Sequence, residues 1–330
     1  IRATPPLPED TGLVQVAPTI ADAIGFRRPF PRVRSGEAVP GIMNGQSPRL
    51  VVEIAWKGVG ARELESSPRD WPHLQRLLRV GAGTIHGTTG SLPLDPAATL
   101  TTIGTGGLPS EHGITGTLLR NTSGDLTRAW DPGAPVSVIA TLPDDLDHLL
   151  HQQPKIGIVA TARSDRGIVG GSWYPGDRDT FVVASTPETA AREAAGLMTH
   201  GFGRDQVPDV LAVVMQGRVA QLDTALGRLM AAGRRASRGS VLFVVAGTGS
   251  AADAGSIAGS QIAASVDATA GQVVEAAVPG GLFLDQGALA SAGITGQVAR
   301  DALVDMKDAG GQPVMADAFQ SYAVSFARYC

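Results

Sequence analysis

Cysteine is nearly absent from this 330-residue chain, because the single one, Cys330, is the last residue. An internal disulfide and a cysteine-ligated metal site are therefore both excluded. Lysine is also rare and occurs only at Lys57, Lys155 and Lys307, so arginine supplies almost all of the positive charge. This usage indicates a genomic composition bias rather than a binding surface.

Long hydrophobic runs and a strong net charge are missing as well. No run of about 18 apolar residues occurs, so the sequence predicts no membrane span. A net charge of −4 and a pI near 5.9 give no electrostatic reason to expect a nucleic-acid partner. Hydrophobic residues make up 43% of the chain and charged residues 18%, a balance typical of a folded globular protein.

Apolar, strand-like segments alternate with amphipathic helical segments over most of the chain. The predicted strands are Arg49–Trp56, Lys155–Ala162, Thr180–Ser185, Asp209–Met215 and Ser240–Gly247, and the main predicted helices are Val16–Phe26, Pro187–Met198 and Val219–Gly233. This alternation predicts an α/β fold with a mainly parallel central sheet and helices on both faces. Residues 1–250 form the predicted core.

The last eighty residues follow a different pattern. Residues 271–285 and 322–329 have the composition of strands, and they flank a predicted helix over Thr295–Ala309. We therefore expect residues 251–330 to form a smaller α+β lobe or cap packed on the core.

Several common catalytic signatures are also missing from the sequence. It contains no H-E-x-x-H, no G-x-S-x-G and no P-loop. A strand leading into Gly247, Gly249 and Ala252, with Asp267 downstream, fits the loose G-x-G-x-x-A form of a dinucleotide-binding turn. The favoured interpretation is a glycine-rich exit from a strand, because the true fingerprint normally opens the first βαβ unit.

His148 and His151 are candidate ligands of a metal site. They lie three residues apart on a predicted helix, and Asp144 or Asp147 could complete a divalent-metal site with them. A polar, solvated helix face is the favoured interpretation.

A third pattern is more specific and extends over Arg49–Gly249. It contains, in order, LVVEIAW, HLQRLL, IHGTTGSLP and TGGLPSEHGITG, and then PDVLAVVMQG, LDTALGRLM and SVLFVVAGTG. In order and spacing these segments resemble the type I phosphodiesterase and nucleotide pyrophosphatase branch of the alkaline phosphatase superfamily. The resemblance implies an alkaline-phosphatase-like fold, two zinc ions bound by Asp and His, and a Thr or Ser nucleophile.

The residues that this chemistry needs are not retained where the resemblance places them. Lys57 occupies the position of the family's first metal-ligating Asp. The family's nucleophile falls near Asp95 and Pro96, and the Asn that neighbours the nucleophile falls near Thr99. Residues 246–249 read A-G-T-G in place of S-D-H-G. The Asp-x-x-x-His loop after VVMQG and the late His-x-Gly ligand have no counterpart. We therefore predict that catalytic residues, metal and cofactor have all been lost, and that the Lys57 ammonium could occupy a cation's place.

The resemblance still predicts a pocket and a structural turn. The pocket residues are Lys57, Asp95, Thr99, Thr101 and Thr102, and the turn that closes the hydroxyl-rich helix contains His112 and Gly113. The leading hypothesis is a non-catalytic, pseudoenzyme-type module that binds or scaffolds another protein.

Two alternatives remain open. One is a metal-independent binder of a phosphate-bearing small molecule, which would use Lys57, the threonine hydroxyls and the helix N-terminus. The other is a hydrolase with relocated ligands, drawn from His86, Asp95, His112, Asp125 and Asp131.

The segment VQVAPTIADAIGFRRPFP resembles the stretch that normally ends such domains, yet here it precedes the first strand. A circular permutation, a coincidence and a trimmed longer parent are all compatible with this order. A permutation predicts that Ala17–Phe26 packs near the strand Ser240–Ala246. The chain begins at Ile1 and not at Met, which is compatible with a removed N-terminal region and favours an extracytoplasmic location without fixing the compartment.

Overall fold

The computed structural model describes residue 7 and residues 11–42, 47–171, 173–176, 178–249 and 257–320. Contacts between residues divide the chain into two compact units, Ile1–Ala251 and Ala252–Cys330. Within the described ranges, none of the helices is both long enough and apolar enough to cross a membrane.

The strands of the described residues are β1 (Leu50–Lys57), β2 (Leu118–Arg120), β3 (Leu126–Arg128), β4 (Ile156–Ala160), β5 (Thr180–Val183), β6 (Asp209–Gln216), β7 (Val241–Gly247), β8 (Val274–Val278) and β9 (Gly281–Leu284). The α-helices are α1 (Val16–Ala23), α2 (Ala61–Ser66), α3 (Pro72–Val80), α4 (Pro96–Thr105), α5 (Pro109–His112), α6 (Leu142–Leu149), α7 (Pro187–Thr199), α8 (Val219–Ala236), α9 (Gly259–Ala270), α10 (Gln286–Ala292) and α11 (Gly296–Val304).

The first unit is built around a five-stranded parallel sheet in the order β5-β4-β6-β1-β7. The register pairs Lys57 with Gln216 of β6, and Trp56 with Gly247 of β7. The five predicted strands are therefore confirmed, each to within two residues of its bounds. Because all five run in parallel, their carboxyl ends lie along one edge of the sheet.

Helices cover both faces of this sheet, as the sequence predicts. Side chains of β1 alternate between the two faces, because successive residues of a strand point in opposite directions. Leu50, Ile54 and Trp56 belong to a buried cluster with α3, α7 and α8, whereas Val51 and Ala55 belong to a second cluster with α1, α4 and α6. Burial on both faces explains why β1 is apolar along almost its whole length.

Helix α4 packs unusually closely on a 3-10 turn, Arg163–Ile168, that follows β4. A Cβ added to Gly104 would lie 2.5 Å from the carbonyl oxygens of Gly167 and Ile168. A Cβ added to Gly167 would lie 2.1 Å from the Thr101 hydroxyl oxygen. Two glycines therefore permit the close contact between α4 and the turn that follows β4.

The N-terminal helix α1 lies on the same face of the sheet as α4. Ala17, Ile20 and Ala21 share a buried cluster with Ala246, and Leu242 packs against that cluster. This is the position that a circular permutation predicts, while the permutation itself stays a prediction.

The second unit, as far as it is described, contains the antiparallel hairpin β8–β9 and helices α9, α10 and α11 around a small core of its own. The hairpin confirms the strands predicted within residues 271–285. Helix α11 ends at Val304, which makes it shorter than the predicted helix Thr295–Ala309. The segment 322–329, predicted as a strand, lies outside the described residues.

Candidate functional site

One of the five predicted pocket residues, Lys57, lies at the carboxyl end of a parallel strand, and the other four lie at the N-terminus of helix α4 or along it. In open α/β sheets the carboxyl ends of the strands are the usual place for ligands. Lys57 is the last residue of β1, and Asp95 immediately precedes α4. The threonines Thr99, Thr101 and Thr102 lie along the helix.

Lys57 is held in an ion pair with Asp165, a residue that the sequence analysis did not single out. Its ammonium lies 2.7 Å from Asp165 Oδ1 and 3.0 Å from Thr161 Oγ1. The Asp165 side chain is 1% exposed, and its Oδ2 accepts hydrogen bonds from the Thr161 hydroxyl and from the backbone N–H groups of Thr161 and Ala162. Both partners of the ion pair are therefore engaged with each other and with the turn after β4.

Asp95 closes the N-terminus of α4. Its Oδ1 accepts hydrogen bonds from Ala97 N at 2.8 Å and from Thr117 Oγ1 at 2.9 Å, and the side chain is almost fully buried. Pro96 follows as the first helical residue and has no N–H to donate. A carboxylate thus occupies the end of the helix where an anionic ligand would otherwise bind.

The threonine hydroxyls of α4 are directed into the protein. Thr99 and Thr101 donate to the carbonyl oxygens four residues earlier, at 3.0 and 2.8 Å. Thr102 Oγ1 lies 3.1 Å from His112 Nε2, and all three threonines are buried. In the described part of the chain, the side chains of Lys57 and Asp95 and these hydroxyls make no hydrogen bonds to one another, so the five pocket residues do not form a single ligand-binding set.

His112 links α4 to the turn that follows it. The ring is fully buried, and its Nδ1 accepts a hydrogen bond from Ile114 N at 3.1 Å. The Nε2–H can therefore donate to Thr102 Oγ1. Burial lowers the pKa of His112 to about 4. The imidazole is neutral near pH 7 and makes structural contacts, and Gly113 supplies the left-handed backbone, with φ of +81°, that ends α5.

The ends of β1 and β7 are joined by main-chain and hydroxyl contacts. Thr248 N donates to Trp56 O at 3.1 Å, and Gly58 N donates to Thr248 Oγ1 at 3.0 Å. Gly247 lies so near the next loop that an added Cβ would be 2.3 Å from the Val59 carbonyl oxygen. These contacts occupy the position of the S-D-H-G segment and include no carboxylate or imidazole.

The end of β6 is equally short of ligands. Only residues 217 and 218 separate Gln216 from Val219, where α8 begins. A loop carrying an Asp-x-x-x-His pattern therefore has no room between this strand and its helix.

The zinc ions that the resemblance implies do not fit the residues present. The Lys57 ammonium stands where the sequence resemblance places the first metal-ligating Asp, and the adjacent carboxylate of Asp165 is already bound to Lys57, Thr161 and Ala162. Zinc in proteins needs three or four Cys, His, Asp or Glu ligands. Across the described residues, no three such side chains lie close enough together to hold a metal ion.

His148 and His151 line a cavity of about 320 Å³ between α6 and the segment that contains Tyr174. The His148 and Tyr174 rings stack in parallel at 3.9 Å, and Tyr174 Oη donates to Asp145 Oδ1 at 3.1 Å. Asp144 lines the same cavity and accepts from Thr141 and from Gly171 N. The Asp144 carboxylate therefore caps the N-terminus of α6, and the His148 ring packs against Tyr174.

The glycine-rich turn after β7 is described only as far as Gly249, and Ala252 lies outside the described residues. Asp267 belongs to the second unit, where its Oδ1 accepts from Val273 N and Val274 N at 2.9 Å. That carboxylate anchors the start of β8.

Glu53 is a second residue that the sequence analysis missed, although it interrupts an apolar strand. It lies in the middle of β1, is 3% exposed, and its Oε1 has no hydrogen-bond partner among the described residues. Burial raises its pKa to about 8. A carboxyl in such surroundings is neutral over most of the physiological range.

The cap at α4 gives a first prediction. The replacement Asp95→Ala removes the oxygen that accepts hydrogen bonds from Ala97 N and Thr117 Oγ1. We therefore expect the free energy of unfolding to fall by roughly 2 kcal/mol. Asp95→Asn keeps an oxygen acceptor and serves as the control, with a smaller loss. Urea denaturation followed by circular dichroism measures both. Equal stability of the Ala variant and the wild type would contradict the capping role.

Comparison with solved structures identifies the fold. The alkaline phosphatase PafA matches with a TM-score of 0.61 at 14% sequence identity, over 86% of this chain and 81% of that chain. A mutant of the same enzyme matches with a TM-score of 0.57 at 14% identity, over 79% of this chain and 77% of that chain. An inactive variant of murine ectonucleotide pyrophosphatase/phosphodiesterase 5, in complex with AMP, matches with a TM-score of 0.47 at 12% identity, over 60% of this chain and 56% of that chain.

No family description matches the chain, and no curated protein matches it either. The structural likeness shows the fold alone: this chain has an alkaline-phosphatase-like α/β fold, as the sequence resemblance implies.

Proposed function

We propose that this chain, which has an alkaline-phosphatase-like fold, is a non-catalytic protein that acts as a binding or scaffolding module for another protein. The observation that carries the proposal is the buried ion pair of Lys57 with Asp165, because it stands where the fold's first metal-ligating carboxylate is expected. Asp95 and Pro96 stand in place of a hydroxyl nucleophile. Without metal ligands or a nucleophile, a phosphoryl group has neither charge neutralisation nor an attacking oxygen.

Binding of a phosphate-bearing small molecule without metal receives less support. The Lys57 ammonium is already neutralised by Asp165 at 2.7 Å. The N-terminus of α4 carries the carboxylate of Asp95, which repels an anion. The threonine hydroxyls donate within the protein. Each group that could hold phosphate therefore has an internal partner.

A hydrolase with relocated ligands receives less support as well. His112 is buried and neutral, and Asp95 caps a helix. Asp125 lies in the exposed turn between β2 and β3, where its N–H donates to Asn121. His86 lies 3.7 Å from Glu65 on the surface. These side chains do not form a metal-binding group among the described residues.

Zinc retention and hydrolysis together test the non-catalytic proposal. The purified chain is incubated with excess zinc, passed through gel filtration and analysed for metal, and then assayed with bis(p-nitrophenyl) phosphate and p-nitrophenyl phosphate. We expect less than 0.1 zinc per chain, as an order-of-magnitude limit for a chain without ligand sets, and no hydrolysis above a heat-denatured control. Hydrolysis that is lost in Asp95→Ala and Lys57→Met variants would overturn the proposal.

Direct binding tests the second half of the proposal. Proteins captured from the source cell by the intact chain are identified, purified and titrated against it by calorimetry. We expect one of them to bind with a dissociation constant in the range of about 1 μM or tighter, typical of a specific complex. If every purified candidate fails to bind, the scaffolding role is wrong. A melting temperature raised by inorganic phosphate or AMP would favour the small-molecule alternative.

A further inference from the structure

The ion pair of Lys57 and Asp165 joins two strands that are not neighbours. The sheet order places β6 between β4 and β1, and Lys57 is in register with Gln216 at the end of β6. Strands in a sheet lie about 4.8 Å apart, so the span from β1 to β4 is about 10 Å. The long lysine side chain extends across the end of β6 to reach Thr161 and Asp165 beyond β4.

The carboxylate that Lys57 reaches is a structural centre. Asp165 caps the 3-10 turn through Thr161 and Ala162, and that turn packs on α4 at Gly167 and Thr101. The Asp165 carboxylate is nearly inaccessible to water, whereas 13% of the Lys57 side chain is exposed. A buried carboxylate of this kind needs a positive partner to remain charged.

We infer that the Lys57 ammonium is a resident cation that performs the structural part of a metal ion's work, tying the ends of β1 and β4 to the turn that supports α4. The inference goes beyond the proposed function, since it concerns what holds this edge of the sheet together. Zinc does not fit because the positive charge of the lysine side chain already occupies the position of the cation.

Removal of the ammonium is the first test. Lys57→Met leaves Asp165 buried without its counter-charge, and we expect the melting temperature to fall by roughly 6 °C or more. The double variant Lys57→Met/Asp165→Asn removes both charges, so it should recover part of that loss. Arg228→Met breaks an exposed ion pair with Glu188 at 3.1 Å and serves as the control, with a shift of about 2 °C or less.

Exchange of the ammonium for a metal ligand is the second test. Lys57→Asp places two carboxylates at the site, so the variant should be less stable than the wild type. Zinc chloride should not restore its melting temperature, because two carboxylates are fewer than the three or four ligands that zinc needs. The wild type and Lys57→Met should show no shift with zinc or with EDTA.

Three results would overturn the inference. These are a wild type whose melting temperature rises with zinc, a Lys57→Met variant as stable as the wild type, and a Lys57→Asp variant as stable as the wild type. None of the three depends on hydrolysis, so the inference can fail while the non-catalytic proposal stands. Conversely, hydrolysis by the wild type would overturn the proposal even if Lys57→Met melts early.

Discussion

Replacement of Glu53 by Gln should make the protein more stable at pH 8 and leave its stability almost unchanged near pH 4.5. Glu53 lies in the middle of β1, its side chain is buried, and its Oε1 has no hydrogen-bond partner among the described residues. Burial alone raises its pKa from 4.5 to about 8, because a charged carboxylate is poorly solvated there.

The sign of the pH effect follows from proton linkage. The native state keeps the Glu53 proton up to about pH 8, whereas the unfolded state releases it near pH 4.5. The contribution to stability is therefore complete below pH 4.5 and is lost as the pH rises toward 8. A pKa difference of this size corresponds to roughly 5 kcal/mol as an upper limit.

His112 titrates with the opposite sign and must be separated from Glu53. Its pKa is lowered from 6.5 to about 4, so its contribution is complete above pH 6.5 and is lost as the pH falls toward 4. Asp209, whose pKa is raised mainly by burial, acts in the same direction as Glu53. The difference between the wild type and Glu53→Gln at each pH removes both contributions.

Urea denaturation at half-unit intervals from pH 4.5 to 8.5 measures this difference. We expect the Gln variant to gain stability steadily across the range, by several kcal/mol at its upper end. Glu188→Gln, at an exposed position on α7, is the matched control and should give a flat difference. A flat difference for Glu53→Gln would show that the carboxyl finds a partner or water in solution.

The sheet could be predicted from the sequence because its signals are local. Strands such as Ile156–Ala160 and Asp209–Gln216 are short apolar runs between amphipathic helices, and burial on both faces leaves no other arrangement for them. The helix boundaries follow from caps and prolines such as Pro187 in α7. Such features act over a few residues, and each is visible in the sequence that forms it.

The partner of Lys57 could not be predicted in this way. Asp165 lies 108 residues further along the chain, and the pair forms only because the sheet brings the ends of β1 and β4 within reach of one lysine side chain. A lysine at the end of an apolar strand indicates a charge that needs a partner, but sequence spacing does not say which carboxylate. Glu53 was different, because a carboxylate inside LVVEIAW is visible at once and the strand pattern alone indicates its burial.

Substitution Gly104→Ala should lower the free energy of unfolding by roughly 3 kcal/mol, in contrast to the usual effect of this change in a helix. Alanine is normally favoured over glycine in a helix by about 1 kcal/mol. At Gly104, however, the new methyl group would lie 2.5 Å from two carbonyl oxygens of the 3-10 turn, and backbone atoms cannot move aside as a flexible side chain can. The helix and the turn must separate to accept it.

Gly196→Ala in α7 is the matched control, because a Cβ at Gly196 would meet no atom within 4 Å. We expect this variant to be more stable than the wild type by about 0.5–1 kcal/mol. Urea denaturation of both variants compares a crowded and an open helical glycine in one protein. Similar effects of the two substitutions would show that the α4 contact is looser in solution.

Combination of Gly104→Ala with Lys57→Met tests whether the close contact and the ion pair act as a unit. Both hold the turn Arg163–Ile168, the glycine from the side of α4 and the lysine from the end of β1. If separation of the helix from the turn also loosens Asp165, the double variant should lose less stability than the sum of the single losses, by at least about 0.5 kcal/mol. Strict additivity would mean that the ion pair holds the turn without help from α4, and that the two structural ties of this edge are independent.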